Sequence, residues 1–149
     1  MRILFDTNVV LDVLLKRLPY APTAVQLFAA VERRLFTGFV AATTITTLFY
    51  LAEKAVGAAA ARHEIRRLLT LFTVAPVDRV VLDGALQRAF SDYEDAVIHE
   101  AACQVGAEGI VTRNGADFLL ATVRIYTPDE LLAILQVLTP RFEQLPDPL

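Results

Sequence analysis

The 149-residue chain is 55% apolar with a mean hydropathy of +0.47, a net charge of −3 and a pI near 5.3. That length suits one domain with a sizeable core, and the acidic balance excludes a generally basic nucleic-acid coat but not a nuclease whose metal ions neutralise an acidic pocket. No apolar run approaches the roughly 20 residues of a membrane span, Asp6 and Asp12 interrupt any signal-like region, and the single cysteine, Cys103, permits neither an internal disulfide nor a cysteine-based metal site, so a cytoplasmic protein is expected.

In chain order, Ile3, Leu4 and Phe5 form a short apolar run, the pattern of a strand buried on both faces of a parallel sheet. Asp6 ends the run. Thr7 and Asn8 stand where they can cap the next segment, in which Val9, Val10, Val13 and Leu14 recur at helical spacing. Ligands gather beyond the carboxyl ends of strands in open parallel sheets, which makes Asp6 the first candidate for chemistry. Pro19 and Pro22 mark a turn, followed by a helix over 21–34 with Val25, Phe28, Ala29 and Val31 inward. A second strand covers 36–42, Gly38 included. Thr43 or Thr44 can cap a third helix through Lys54, Gly57 breaks it, and the pattern resumes over 58–71. A third strand is expected over 72–77, then helices from Asp78 to about Phe90 and from Ser91 to Gly106. Residues 109–112 and 123–126 read as the last two strands. Thr127-Pro-Asp-Glu130 is a helix start, with proline in the first turn and acids behind it, and that helix runs to about Leu138. Pro140, Pro146 and Pro148 make residues 139–149 a proline-rich tail outside a domain of residues 1–138. The alternation of strand and helix predicts an α/β protein, a parallel sheet between two helical layers.

Three acids crowd one helix start in Ser91-Asp-Tyr-Glu-Asp-Ala96. Ser91 with Glu94 three residues on reads as a capping box, and Asp92 as a first-turn acid that suits the helix dipole or lines a site rim. Asp95 shares a helical stripe with Ile98, Ala102 and Val105, the stripe that should face the sheet, and an inward carboxylate needs a partner or a metal. Gly109-Ile-Val-Thr-Arg-Asn114 repeats the first strand's logic of an apolar run ending in polar residues, with Asp117 three residues later. Taken alone that is an ordinary turn. Joined to Asp6 and Asp95, it places a third carboxylate beyond another strand end. Asp12 divides between a helical ion pair with Lys16 and a rim role. His63 reads as part of a solvated face, and His99 either pairs with Asp95 or is an ordinary core or surface histidine.

These stretches together resemble the PIN-domain family of metal-dependent ribonucleases, most closely its toxin-like, VapC-type members from bacterial toxin–antitoxin pairs. Phe5-Asp-Thr-Asn-Val-Val-Leu-Asp12 is similar to the family's opening motif, Asp95-Ala-Val-Ile-His-Glu-Ala-Ala102 to its third acidic helix, and Val111-Thr-Arg-Asn-Gly-Ala-Asp-Phe118 to its closing motif. The resemblance implies a three-layer α/β/α sandwich whose five-stranded parallel sheet runs in order 3-2-1-4-5, with Asp6, Asp95 and Asp117 converging at its carboxyl edge. It also implies hydrolysis of RNA phosphodiesters with Mg²⁺ or Mn²⁺, and hard oxygen ligands suit those ions better than zinc. On that reading Asp6 and Asp95 hold the main ion, Asp117 serves a second ion or the water, Asp92 lines the metal site, and Thr7, Arg113 and Asn114 contact the phosphate backbone. A homodimer and a cognate antitoxin are the expected partners. The family's usual second acid is missing here, because Thr47 stands at its position.

Three rivals carry different features. A catalytically silent member would bind RNA or protein through the same fold. A phosphoacceptor signalling domain needs adjacent acids on the first strand and a lysine near the last, and an aspartate-nucleophile phosphatase needs Asp-x-Asp where this chain has Asn8 in the second acid position.

Overall fold

The computed structural model describes residues 1–139, so the expected tail lies, beyond Thr139, outside the described residues. Five parallel strands form one sheet: β1 (Arg2–Phe5), β2 (Thr37–Ala41), β3 (Thr73–Ala75), β4 (Gly109–Val111) and β5 (Arg124–Tyr126). Their order across the sheet is β3-β2-β1-β4-β5. β1 is central, with Leu4 opposite Phe39 of β2 and Ile110 of β4. The helices are α1 (Thr7–Leu14), α2 (Ala21–Glu32), α3 (Ala42–Val56), α4 (Ala58–Leu71), α5 (Arg79–Leu86), α6 (Tyr93–Gln104) and α7 (Pro128–Leu138), and a 3-10 turn covers Gly115–Phe118.

Side-chain alternation along β1 divides the core in two, because successive residues of a strand face opposite sides. Ile3 and Phe5 point into a cluster built with α1, α2, α3, α4 and α7, while Leu4 points into one built with α5 and α6. Phe5 anchors the first cluster, with ring centroids 5.8 Å from Phe28, 6.1 Å from Phe36 and 5.0 Å from Phe72. Gly38 in β2 makes room for this aromatic group: a Cβ there would lie 2.8 Å from the Phe72 ring and 2.9 Å from Val31. Gly57, at φ +88°, takes the conformation other residues resist and separates α3 from α4.

The helix starts differ from the sequence expectation in a consistent way. Thr7 and Asn8 do not cap α1; the carboxylate of Asp6 does, accepting the Thr7 backbone N–H at 2.8 Å. Neither Thr43 nor Thr44 caps α3, whose first residue follows directly from β2 with no side-chain cap, and Thr43 Oγ1 is buried without a partner among the described residues. Ser91 and Glu94 form no capping box. α6 starts two residues later than expected, with Asp92 as its cap. Thr127 and Glu130 do form a reciprocal capping box at α7.

Candidate active site

Asp6 follows directly from the central strand, so its position is fixed by the sheet, and its backbone N–H donates to Val111 O at 3.0 Å. The carboxylate, 6% exposed, is then clamped from several sides. Thr112 Oγ1 donates to Oδ2 at 2.7 Å, Asn8 Nδ2 donates to the same oxygen at 3.3 Å, and the Thr7 N–H takes Oδ1. Asn8 Nδ2 also donates to Thr112 Oγ1 at 3.3 Å, and Thr112 Oγ1 accepts the Asn114 N–H at 3.0 Å. The ends of β1 and β4 are thus sewn together around one carboxylate. Thr7 Oγ1 lies 3.1 Å from the buried Thr44 Oγ1, which brings the start of α3 to the same place.

Charge crowds around this point. Burial pushes the Asp6 carboxyl above its usual range, against the pull of the Thr112 and Thr7 hydrogen bonds, and repulsion from Asp117 and Asp92 adds to it. Half-buried Asp95, in the first turn of α6, is pushed up to about 7 by burial, then by Asp6, Asp92, Asp117 and Glu94. Glu94 is raised by burial, Asp92 and Asp6. The structure therefore brings Asp6, Asp92, Asp95 and Asp117 into one electrostatic neighbourhood, with Glu94 as a member that sequence reasoning had assigned to backbone capping. Among the described residues the ion pairs take in none of these five acids.

Among the described residues no three acidic, histidine or cysteine side chains stand ready to close around one ion. The donor chemistry nevertheless fits Mg²⁺ or Mn²⁺, since small hard ions of this kind take one or two carboxylates and keep several waters. Asp6 and Asp95 offer those carboxylates, and a cation would relieve the repulsion that lifts both. Thr47, which the resemblance sets where the family carries its second acid, turns its hydroxyl back along α3 and donates to Thr43 O at 3.2 Å.

The remaining residues divide between surface and scaffold. Asn114 and Asp117 are exposed beyond β4. Arg113 is engaged inward: Nε donates to Asp12 Oδ2 at 2.6 Å, a terminal nitrogen to Oδ1 at 3.2 Å, and the guanidinium lies 3.9 Å over the Tyr20 ring. Asp12 is fully buried and also faces Arg17 at 3.9 Å, so a buried fork on Arg113 stands where the sequence left a choice between a Lys16 pair and a rim role. Thr112 and Asn8 are the site residues that sequence reasoning missed as carboxylate holders. For Thr112 the signal was its place directly after β4, as Asp6 stands directly after β1; Asn8 lies in the first turn of α1. Among the described residues His99 forms no hydrogen bond or ion pair with Asp95; it is buried and accepts the Thr122 N–H.

A family model described as PIN domain matches residues 2–116. The chain is similar in structure to FitAcB from Neisseria gonorrhoeae, with a TM-score of 0.65 and 22% identity, covering 85% of this chain and 97% of that one. It is similar likewise to a toxin–antitoxin complex from Klebsiella pneumoniae, with a TM-score of 0.64, 23% identity and coverage of 85% and 97%. A third likeness is to Mycobacterium tuberculosis VapC20, a sarcin-ricin-loop-cleaving toxin, with a TM-score of 0.59, 16% identity and coverage of 72% and 86%. No curated protein matches the chain.

Proposed function

The chain belongs to the PIN-domain family, and from that premise we propose that it is a Mg²⁺- or Mn²⁺-dependent endoribonuclease, the toxin of a type II toxin–antitoxin pair. The observation that carries this reading is the buried Asp6 carboxylate, clamped by Thr112, Asn8 and the Thr7 N–H at the carboxyl end of the central parallel strand, with Asp95, Asp92 and Asp117 in its field. Uncompensated carboxylates in one pocket are the arrangement a divalent cation resolves. Asp6 and Asp95 would hold that ion, with Asp92 and Asp117 as further acids around it. When bound, such an ion polarises the scissile phosphate and lowers the pKa of an attacking water.

The chain's own residues would do the rest. The clamp of Thr112, Asn8 and the Thr7 N–H fixes the Asp6 oxygens, so little reorganisation is needed on binding. Asp117, exposed beyond β4, would orient the water or serve a second ion. Thr7 and Asn114 would meet the phosphate backbone. Arg113 would do so only with the face left free by Asp12 and Tyr20. The likeness to toxin–antitoxin structures supports a cognate antitoxin as partner, and we place the active form as a homodimer in the cytoplasm. Structured RNAs incubated with Mg²⁺, Mn²⁺ or EDTA test the reading. Cleavage should require the metal and vanish in Asp95→Asn; cleavage that persists in EDTA would sink it.

One observation favours a second reading, a catalytically weak or silent domain that binds RNA or protein. Thr47 leaves the pocket one carboxylate short and spends its hydroxyl on α3. A second divalent ion should then bind weakly, since two ions ~3.5–4 Å apart need bridging and flanking carboxylates. Thr47→Glu should tighten Mn²⁺ binding in calorimetry and raise the cleavage rate. Two tight ions in the parent protein would contradict the charge count. RNA binding without cleavage under every metal condition would favour the silent form.

A further inference from the structure

Outside the acid pocket, one buried ring joins the two elements that supply its outer acids. His99 lies on α6 one turn beyond Asp95 and is fully buried. The Thr122 backbone N–H donates to His99 Nε2 at 3.0 Å, and Thr122 Oγ1 lies 3.2 Å from the same nitrogen. A backbone N–H can only donate, so Nε2 is the bare nitrogen and the neutral ring carries its proton on Nδ1. Nδ1 faces Glu100 Oε1 at 3.5 Å, and Arg88 Nε donates to the same Glu100 oxygen. Cys103 Sγ completes the surroundings, 3.7 Å from Nε2 and 3.7 Å from Thr122 Oγ1.

Thr122 stands in the loop between the 3-10 turn that carries Asp117 and β5. A second contact follows the same route. The His99 ring meets Phe90 edge-on at 5.2 Å, and Phe90 meets Phe118, the neighbour of Asp117, at 6.1 Å.

We propose that His99 is a positioning residue whose neutral ring, by accepting the Thr122 amide, fastens the Asp117-bearing loop to the Asp95-bearing helix. Only its consequence for cleavage rests on the ribonuclease reading. Burial and the nearby Arg88 hold the imidazole pKa below its usual range, with Glu100 opposing, which keeps the accepting form in place at neutral pH. Of the groups facing the ring, Glu100 and Cys103 come from α6 and Arg88 from the segment after α5, while Thr122 brings no charge. Protonation in acid would place a second N–H on Nε2, donor against donor, and open the tether.

Amide hydrogen exchange and imidazole ¹⁵N spectra, recorded with chelator on the parent, His99→Gln and His99→Leu, test this. Gln offers an amide oxygen at similar reach; Leu offers no acceptor. The Thr122 protection factor should be high in the parent and in His99→Gln and about tenfold lower in His99→Leu. The parent spectrum should show an unprotonated Nε2. With Mn²⁺, His99→Leu should cleave RNA more slowly and His99→Gln should recover the rate. Equal Thr122 protection in the parent and His99→Leu, or no rescue by Gln, overturns the proposal. Lost protection with unchanged cleavage overturns it too. Should His99→Leu not fold, acid titration of the parent decides: Thr122 protection must fall as His99 protonates, and constant protection refutes the tether. A parent that shows the exchange pattern and cleaves no RNA keeps the tether and refutes the nuclease.

Discussion

Asp95 retains, when folded, a proton that the unfolded chain would lose. Its carboxyl is raised from 3.8 to about 7, so between those values the folded state binds more protons than the unfolded one. Stability must then fall as pH rises through that window and stay lowered above it. In chelator, the melting temperature of the parent should drop from pH 4 towards pH 7 more steeply than that of Asp95→Asn. Mn²⁺ should reverse the loss in the parent and much less in the variant, by linkage. Identical pH profiles for the two proteins would show that Asp95 sits in no such field. Asp12 offers a contrasting case, an acid already neutralised by Arg113. Asp12→Asn leaves a largely buried guanidinium with half its partner, and should cost roughly 3 kcal/mol in urea denaturation. A loss within experimental error would mean that water or Tyr20 holds Arg113 in place. The placement of Asp6 at a strand end and of Asp95 in the first turn of a helix was legible from sequence because local pattern fixes both. The Asp12–Arg113 pair was not, since the partners lie 101 residues apart and only the finished fold brings them together.

At the scale of the helix, the start of α6 shows how a local pattern can point to the wrong residue. Ser91 and Glu94 satisfy the capping-box spacing, yet the cap is Asp92, which accepts the Asp95 N–H at 3.1 Å, and α6 begins at Tyr93. Serine and aspartate cap about equally well, so spacing alone could not choose between them. The route from α5, with Tyr93 OH donating to Leu82 O at 3.0 Å, accompanies the later start. Freed from capping, Glu94 joins the acid field. Asp92 is now both cap and acid, and two substitutions separate the roles. Asn keeps the cap and removes the charge, so Asp92→Asn should leave thermal stability near that of the parent or above it while weakening Mn²⁺ binding. Asp92→Ala should lose about 1 kcal/mol relative to Asn. Equal stability of the Asn and Ala variants would return the cap to Ser91.

At the scale of the whole molecule, alternating periodicities revealed a parallel sheet between helices, but periodicity cannot order strands. The order 3-2-1-4-5 followed from the family likeness, and the structure carries it. What no pattern indicated is how unequal the two layers are. One face of the sheet is covered by α1, α2, α3, α4 and α7, the other by α5 and α6. The thinner layer leaves apolar side chains outside: on α5, Val80 is 71% exposed and Leu86 70%. Phe49 and Tyr50 of α3, and Leu132 and Leu135 of α7, are the other apolar candidates for such a surface. Leu135 is fully buried and Phe49 packs into the core, which leaves Tyr50 of that set well exposed. Exposed apolar area of this kind gains stability when a second copy covers it. Light scattering at micromolar concentration should therefore give twice the chain mass of 16.4 kDa. A Val80→Glu, Leu86→Glu double variant should halve that mass while keeping its circular dichroism, because neither side chain supports the core. A monomeric parent would refute the dimer. A variant that stays dimeric would move the interface elsewhere, with α7 the next candidate, where Val137 is 79% and Leu138 66% exposed.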